Sequence, residues 1–133
     1  MTPEENTRIV KQTYAAFASG DMDALFANYA ADVQWEVYGP ASVPTTGTRR
    51  GLDGIREFFG TLDQAMTARS FEPREFIAQG DQVVVLGHYQ WTAKATGKPF
   101  DANWAHVVTL RDGKIVRFRE FTDTAAAAAA FVA

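Results

Sequence analysis

Residues 106–124, HVVTLRDGKIVRFREFTDT, decide how this chain folds. Apolar and polar side chains alternate on both sides of Asp112-Gly113, a dipeptide suited to a tight hairpin turn. The spacing predicts two antiparallel strands, about Pro99–Leu110 and Lys114–Thr122. Strand phase places Trp104 and His106 on one face of the first strand. On the second, Phe118, Glu120 and Thr122 share a face, while Arg117, Arg119 and Phe121 point the other way. A histidine and a carboxylate among aromatic rings suggest acid/base chemistry. The simpler alternative is a histidine satisfied within the sheet and, at Asp123, a helix cap.

Working upstream, the strand pattern continues over about Ser70–Gln79 and Gln82–Ala95, with turns at Gly80-Asp81 and Thr96-Gly97. In residues 82–95, QVVVLGHYQWTAKA, one face carries Val83, Val85, Tyr89 and Trp91, and the other Val84, Leu86 and His88. A sheet that is apolar on both faces needs cover on both. Three helices can supply one cover and a second copy of the chain the other, so a homodimer is expected.

The helices come first. Residues 4–21, EENTRIVKQTYAAFASGD, place Ile9, Val10, Thr13, Tyr14 and Phe17 at helical spacing. Pro3, Glu4 and Glu5 suit a first turn, and Gly20 a terminus. Residues 21–32, DMDALFANYAAD, predict a second helix that buries Leu25, Phe26 and Tyr29. A strand follows in residues 33–38, VQWEVY, with Val33, Trp35 and Val37 on one face. Residues 39–51, GPASVPTTGTRRG, read as a long surface loop suited to a lid or pocket mouth. Residues 52–66, LDGIREFFGTLDQAM, predict a third helix with Ile55, Phe58, Phe59, Leu62 and Met66 inside. The alanine tract from Ala125 predicts a short last helix. Helices followed by an antiparallel sheet imply one α+β domain over residues 1–133.

Composition narrows the function classes. The net charge is −3 and no basic cluster exceeds Arg49-Arg50, so neither nucleic acid nor a membrane surface is an expected partner. Cysteine is absent, which removes disulfides, thiolate catalysis and zinc–thiolate sites. No apolar run has membrane-spanning length, and MTPEENTRIV does not resemble a secretory leader, so a cytoplasmic protein is expected. The 10 Phe, 4 Tyr and 3 Trp exceed what a small core needs and suit a cavity wall.

The order of elements, with YAAFASGDMDALFANYAADVQW, RRGLDGIREFF and LRDGKIVRFREFTD, resembles the SnoaL-like branch of the NTF2-like (ketosteroid isomerase-like) superfamily. The resemblance implies a cone-shaped fold in which a curved mixed β-sheet wraps around N-terminal helices and encloses an apolar pocket, usually in a dimer. That fold hosts isomerases, dehydratases, cyclases, epoxide hydrolases and non-catalytic binders, so it does not fix the activity. Aligned through the "GD" and "GK" anchors, the three functional positions of ketosteroid isomerases fall on Thr13, Val37 and His106, and none carries the isomerase residue. Tyr14 stands one step from Thr13, a rotation of about 100° on a helix, and is not expected to substitute. The Asp-Arg-Asp arrangement of limonene epoxide hydrolases is missing. The two histidines that scytalone dehydratases use are not both available, because His88 faces away from Tyr89 and Trp91. SnoaL-type polyketide cyclases carry an acid/base aspartate after the last strand, where Asp123 stands.

The expected ligand is therefore a small, flat, apolar carbonyl compound held by Trp35, Phe58, Phe59, Tyr89, Trp91, Trp104 and Phe118. His106, Glu120 and Asp123 are the candidate acid/base residues for an isomerase, dehydratase or cyclase. Asp123 has an alternative role as the N-cap of the alanine helix. Asp53 reads first as a first-turn acid of the third helix, and Arg49 and Arg50 as solvated surface. No metal or cofactor is expected, since the two histidines lack ligand spacing. A non-catalytic binding protein of the same fold is the alternative.

Overall fold

In the computed structural model, which describes residues 1–133, the chain begins with α1 (Pro3–Ser19). Thr2 and Glu5 form a reciprocal capping box at its start, and Gly20 ends it with a left-handed backbone. α2 (Met22–Ala27) is capped by the Asp21 carboxylate on the Ala24 N–H. It ends earlier than the apolar spacing predicts, because Tyr29 already belongs to β1 (Tyr29–Val37). A four-residue strand, β2 (Gly47–Arg50), lies within the stretch expected to be all loop, and pairs antiparallel with the far end of β1. Then come α3 (Gly51–Ala65), β3 (Met66–Gln79), β4 (Gln82–Ala93), β5 (Pro99–Arg111), β6 (Lys114–Thr122) and α4 (Thr124–Ala130).

The six strands form one unclosed mixed sheet in the order β2-β1-β6-β5-β4-β3. Only β1 and β6 run parallel; the remaining neighbours are antiparallel. Register slips in β3 between Ala68 and Ser70 and between Pro73 and Glu75 give the sheet the bulges that help it curve. The concave face packs on α1 and α3. Its alternation is regular: Val83, Val85, Tyr89 and Trp91 of β4 are buried, and so are Trp104, His106 and Val108 of β5. Val84, Leu86 and His88 occupy the opposite face and remain half-exposed, as strand phase predicts. Twenty-one buried residues make one continuous core, from Ile9 and Val10 of α1 to Phe118 of β6. No helix is long and apolar enough to cross a membrane.

Gly87 is a packing device. A Cβ there would lie 2.2 Å from Cζ2 of Trp104 and 2.5 Å from the Glu72 carbonyl oxygen. The Trp104 indole lies directly across the strand at this point, so only glycine fits.

Candidate functional site

A cavity opens between the concave face, α1, α3, the segment 38–46 and the start of α4. Of the 30 residues in its wall, 21 are hydrophobic. Counted with its open mouth it spans about 960 Å³, and its enclosed part has room for about eight waters, or a one- to two-ring compound.

Strand alternation supplies the polar centre. His106 faces inward on β5 and is 3% exposed; Glu120 faces inward from the paired position on β6. His106 Nε2 lies 2.9 Å from Glu120 Oε1. The other ring nitrogen, Nδ1, lies 2.6 Å from the Tyr14 hydroxyl. With the phenol donating to Nδ1, Nε2–H donates to the carboxylate, which is the Nε2–H tautomer of the imidazole. Burial pushes the Tyr14 hydroxyl well above the ordinary phenol range, with Tyr29 and Glu120 adding charge repulsion in the same direction. Tyr14 therefore keeps its proton. The result is a chain of three groups, Tyr14–His106–Glu120, that leaves the Tyr14 oxygen and the second Glu120 oxygen as its outer ends.

The rings around this chain hold it in place. Trp104 stacks on the imidazole at 4.0 Å, and Phe118 meets it nearly edge-on at 4.5 Å. Phe118 in turn stacks on Trp35 at 3.8 Å, and Trp35 packs on Phe58 at 4.9 Å. Tyr89 donates to the Thr122 hydroxyl at 2.7 Å. Burial raises Tyr89 well above the usual phenol range, and Glu120 adds to that shift. Thr45, Thr46, Thr122 and Thr124 line the same cavity.

Most of the residues singled out from sequence meet here. Trp35, Phe58, Phe59, Tyr89, Trp91 and Phe118 line the cavity together with His106 and Glu120. Trp104 does not. It is buried on the predicted face, but its ring lies over Gly87 and behind the imidazole, so it supports the site from outside the cavity. Asp123 is also absent from the wall. Its Oδ1 accepts from the Ala126 N–H at 3.0 Å, so it caps α4 and is corrected from acid/base candidate to helix cap. Arg49, Arg50 and Asp53 stay outside the cavity as well: Arg49 bonds Glu57, and Asp53 pairs with Arg56. His88 lies on the outer face, 3.8 Å from Asp101.

Tyr14 reverses an expectation. The helix face turned to the sheet is broad enough to present both Thr13 and Tyr14 to the cavity. Thr13 spends its hydroxyl on the Ile9 carbonyl and accepts from Asn28, leaving Tyr14 to reach the histidine.

A sequence model of the SnoaL-like domain matches residues 10–118. The chain belongs to the SnoaL-like family. Within the wider NTF2-like superfamily, this SnoaL-like protein superposes on an NTF2-like protein from Burkholderia xenovorans LB400 with a TM-score of 0.91. The two are 34% identical, over 99% of each chain. It is also similar to TerC, whose structure was obtained co-crystallised with polyporic acid (TM-score 0.86, 31% identity, 96% of this chain and 98% of that one). An uncharacterised protein of Mycobacterium tuberculosis strain H37Rv is 31% identical over 131 residues, 98% of each chain.

Proposed function

We propose that this SnoaL-like protein binds a small, flat, largely apolar carbonyl compound and moves a proton on it, as an isomerase, dehydratase or cyclase. The observation that carries the reading is the Tyr14–His106–Glu120 chain set in the wall of an apolar cavity. A proton leaving a carbon next to the carbonyl passes to the Tyr14 oxygen as the phenolic proton moves to His106 Nδ1. The imidazolium so formed is held by Glu120 through Nε2–H, and the phenol carries the proton without a lasting negative charge. In the reverse sense Tyr14 returns a proton to a second carbon, a leaving hydroxyl or a new alkoxide. These three outcomes correspond to isomerisation, dehydration and aldol-type cyclisation. The similarity to TerC makes polyporic acid, offered at a pH where it is protonated, a reasonable first probe.

The test is a panel of apolar ketones, polyketide-like compounds and polyporic acid, scored for binding and turnover by wild type, His106→Ala and Tyr14→Phe. Turnover in wild type that is lost in both variants supports the acid/base reading. A non-catalytic receptor is the second reading, favoured by the engagement of both imidazole nitrogens within the protein. Binding without turnover across the panel would leave that reading alone.

We also propose that two copies pair through the outer face of the sheet. Ile77, Val84 and Val107 are in register there, as are Leu86, Ala105 and Phe121; Ile77 is 55% and Phe121 44% exposed. Light scattering should find a dimer, and Phe121→Glu should shift it toward monomer; a monomeric wild type at micromolar concentration sinks the idea.

A further inference from the structure

The cavity wall contains one carboxylate and no lysine or arginine. Every nearby cation is directed elsewhere. Arg117 and Arg119 closely precede Glu120 in sequence, yet strand alternation turns them to the outer face. There Arg117 pairs with Glu36, and Arg119 lies over the Phe121 ring. Arg49, beside the mouth, is held by Glu57 at 2.5 Å and by the Thr45 carbonyl at 2.9 Å. Glu120 uses one oxygen on His106 and has its side chain 17% exposed, so its second oxygen has no protein partner. A ligand anion seated beside His106 would face this carboxylate among aromatic rings with nothing to neutralise it.

We propose that Glu120 makes the site a charge filter, so that the ligand is neutral where it meets the Tyr14–His106 pair and its anionic counterparts are rejected. This rests on the binding reading above and narrows its substrate class to uncharged carbonyl compounds, excluding carboxylates of the same shape. Like charges about 4 Å apart at a protein-like dielectric lower affinity by on the order of 10²–10³-fold. Counter-ions and water at the open mouth reduce that to at least about tenfold.

The experiment uses two isosteres of suitable size, 2-naphthamide and 2-naphthoate, titrated calorimetrically into the full chain at neutral to mildly alkaline pH. Wild type should prefer the amide by at least about tenfold. Glu120→Gln should bring the two ligands to within about threefold by restoring the carboxylate, the ratio of the two affinities being the readout. Retained amide binding shows that the variant's cavity is intact; Glu120→Leu replaces it if the glutamine protein does not fold. Equal affinity of wild type for both ligands overturns the filter and leaves the binding reading standing. An unchanged preference in the Glu120 variants likewise overturns the assignment to that residue. Failure of wild type to bind either compound overturns both.

Discussion

Replacing Tyr14 by phenylalanine removes one oxygen atom and interrogates the whole polar chain. His106 is 3% exposed, so bulk solvent does not reach Nδ1 and a cavity water is the one available substitute for the lost phenol. A buried acceptor left without a donor costs about 1–3 kcal/mol. For 133 residues, at about 2.1 cal/mol/K each, the unfolding entropy is on the order of 280 cal/mol/K, so Tm should fall by about 4–11 °C. Thermal unfolding followed by circular dichroism reads the stability. Nitrogen-resolved NMR of the histidine ring reads the chemistry: without the phenolic proton on Nδ1, the Nδ1 resonance should move to that of an unbonded acceptor, while Glu120 keeps the proton on Nε2. If the protein has turnover, the rate should drop by about 10²–10⁴. A variant that melts within about 1 °C of wild type, with the Nδ1 resonance unchanged, would refute the Tyr14–His106 bond and with it the relay.

Further outcomes follow from the same geometry. Asp123→Ala should cost about 1 kcal/mol in denaturant unfolding through loss of the α4 cap, while ligand affinity stays the same; lost affinity at full stability would return Asp123 to the site. Gly87→Val should cost about 1–3 kcal/mol and weaken ligand binding, because the new side chain displaces Trp104 from the imidazole; normal binding would show that this support is dispensable. Tyr14, Tyr29 and Tyr89 are all raised by burial above the ordinary phenol value. Below about pH 10 both folded and unfolded chains keep these protons, and stability does not depend on them. Above it the unfolded chain releases protons that the folded chain retains, so stability falls by about 1.4 kcal/mol per pH unit per tyrosine, or about 4 for three. Phenolate absorbance should therefore rise together with unfolding; gradual ionisation of the four tyrosines near pH 10 in an intact fold would contradict the burial argument.

Much of the architecture could be read from periodicity. β6 occupies the predicted residues Lys114–Thr122, and period-two alternation assigned the inner faces of β4, β5 and β6 correctly. β2 was invisible because Gly-Thr-Arg-Arg has no apolar alternation; its pairing with β1 is set by the neighbouring strand. Phase also brought His106 and Glu120 together, since residues on matching faces of a hairpin meet. It could not distinguish lining a cavity from packing behind one, hence the error at Trp104. The usable clue was Gly87, a glycine inside a strong strand pattern that marks close approach. Tyr14 was missed because a step of one residue was treated as leaving the face. A helix lying in the hollow of a curved sheet presents a stripe wide enough for both neighbours.

The parallel pairing of β1 with β6 has a consequence for biosynthesis. The site joins Tyr14 to His106, 92 residues later, and seats β1 beside the strand of this sheet that is synthesised last. An emerging chain can form α1 early, and later the local β4–β5–β6 meander, yet β1 has no sheet partner but the short β2 until β6 has left the ribosome. Pulse-labelled hydrogen exchange during refolding should find β4–β6 amides protected before those of β1, and the reverse order would contradict this sequence of events. A stalled or truncated chain would have helices and hairpins but no cavity, so ligand capture would report that translation had reached its final strand.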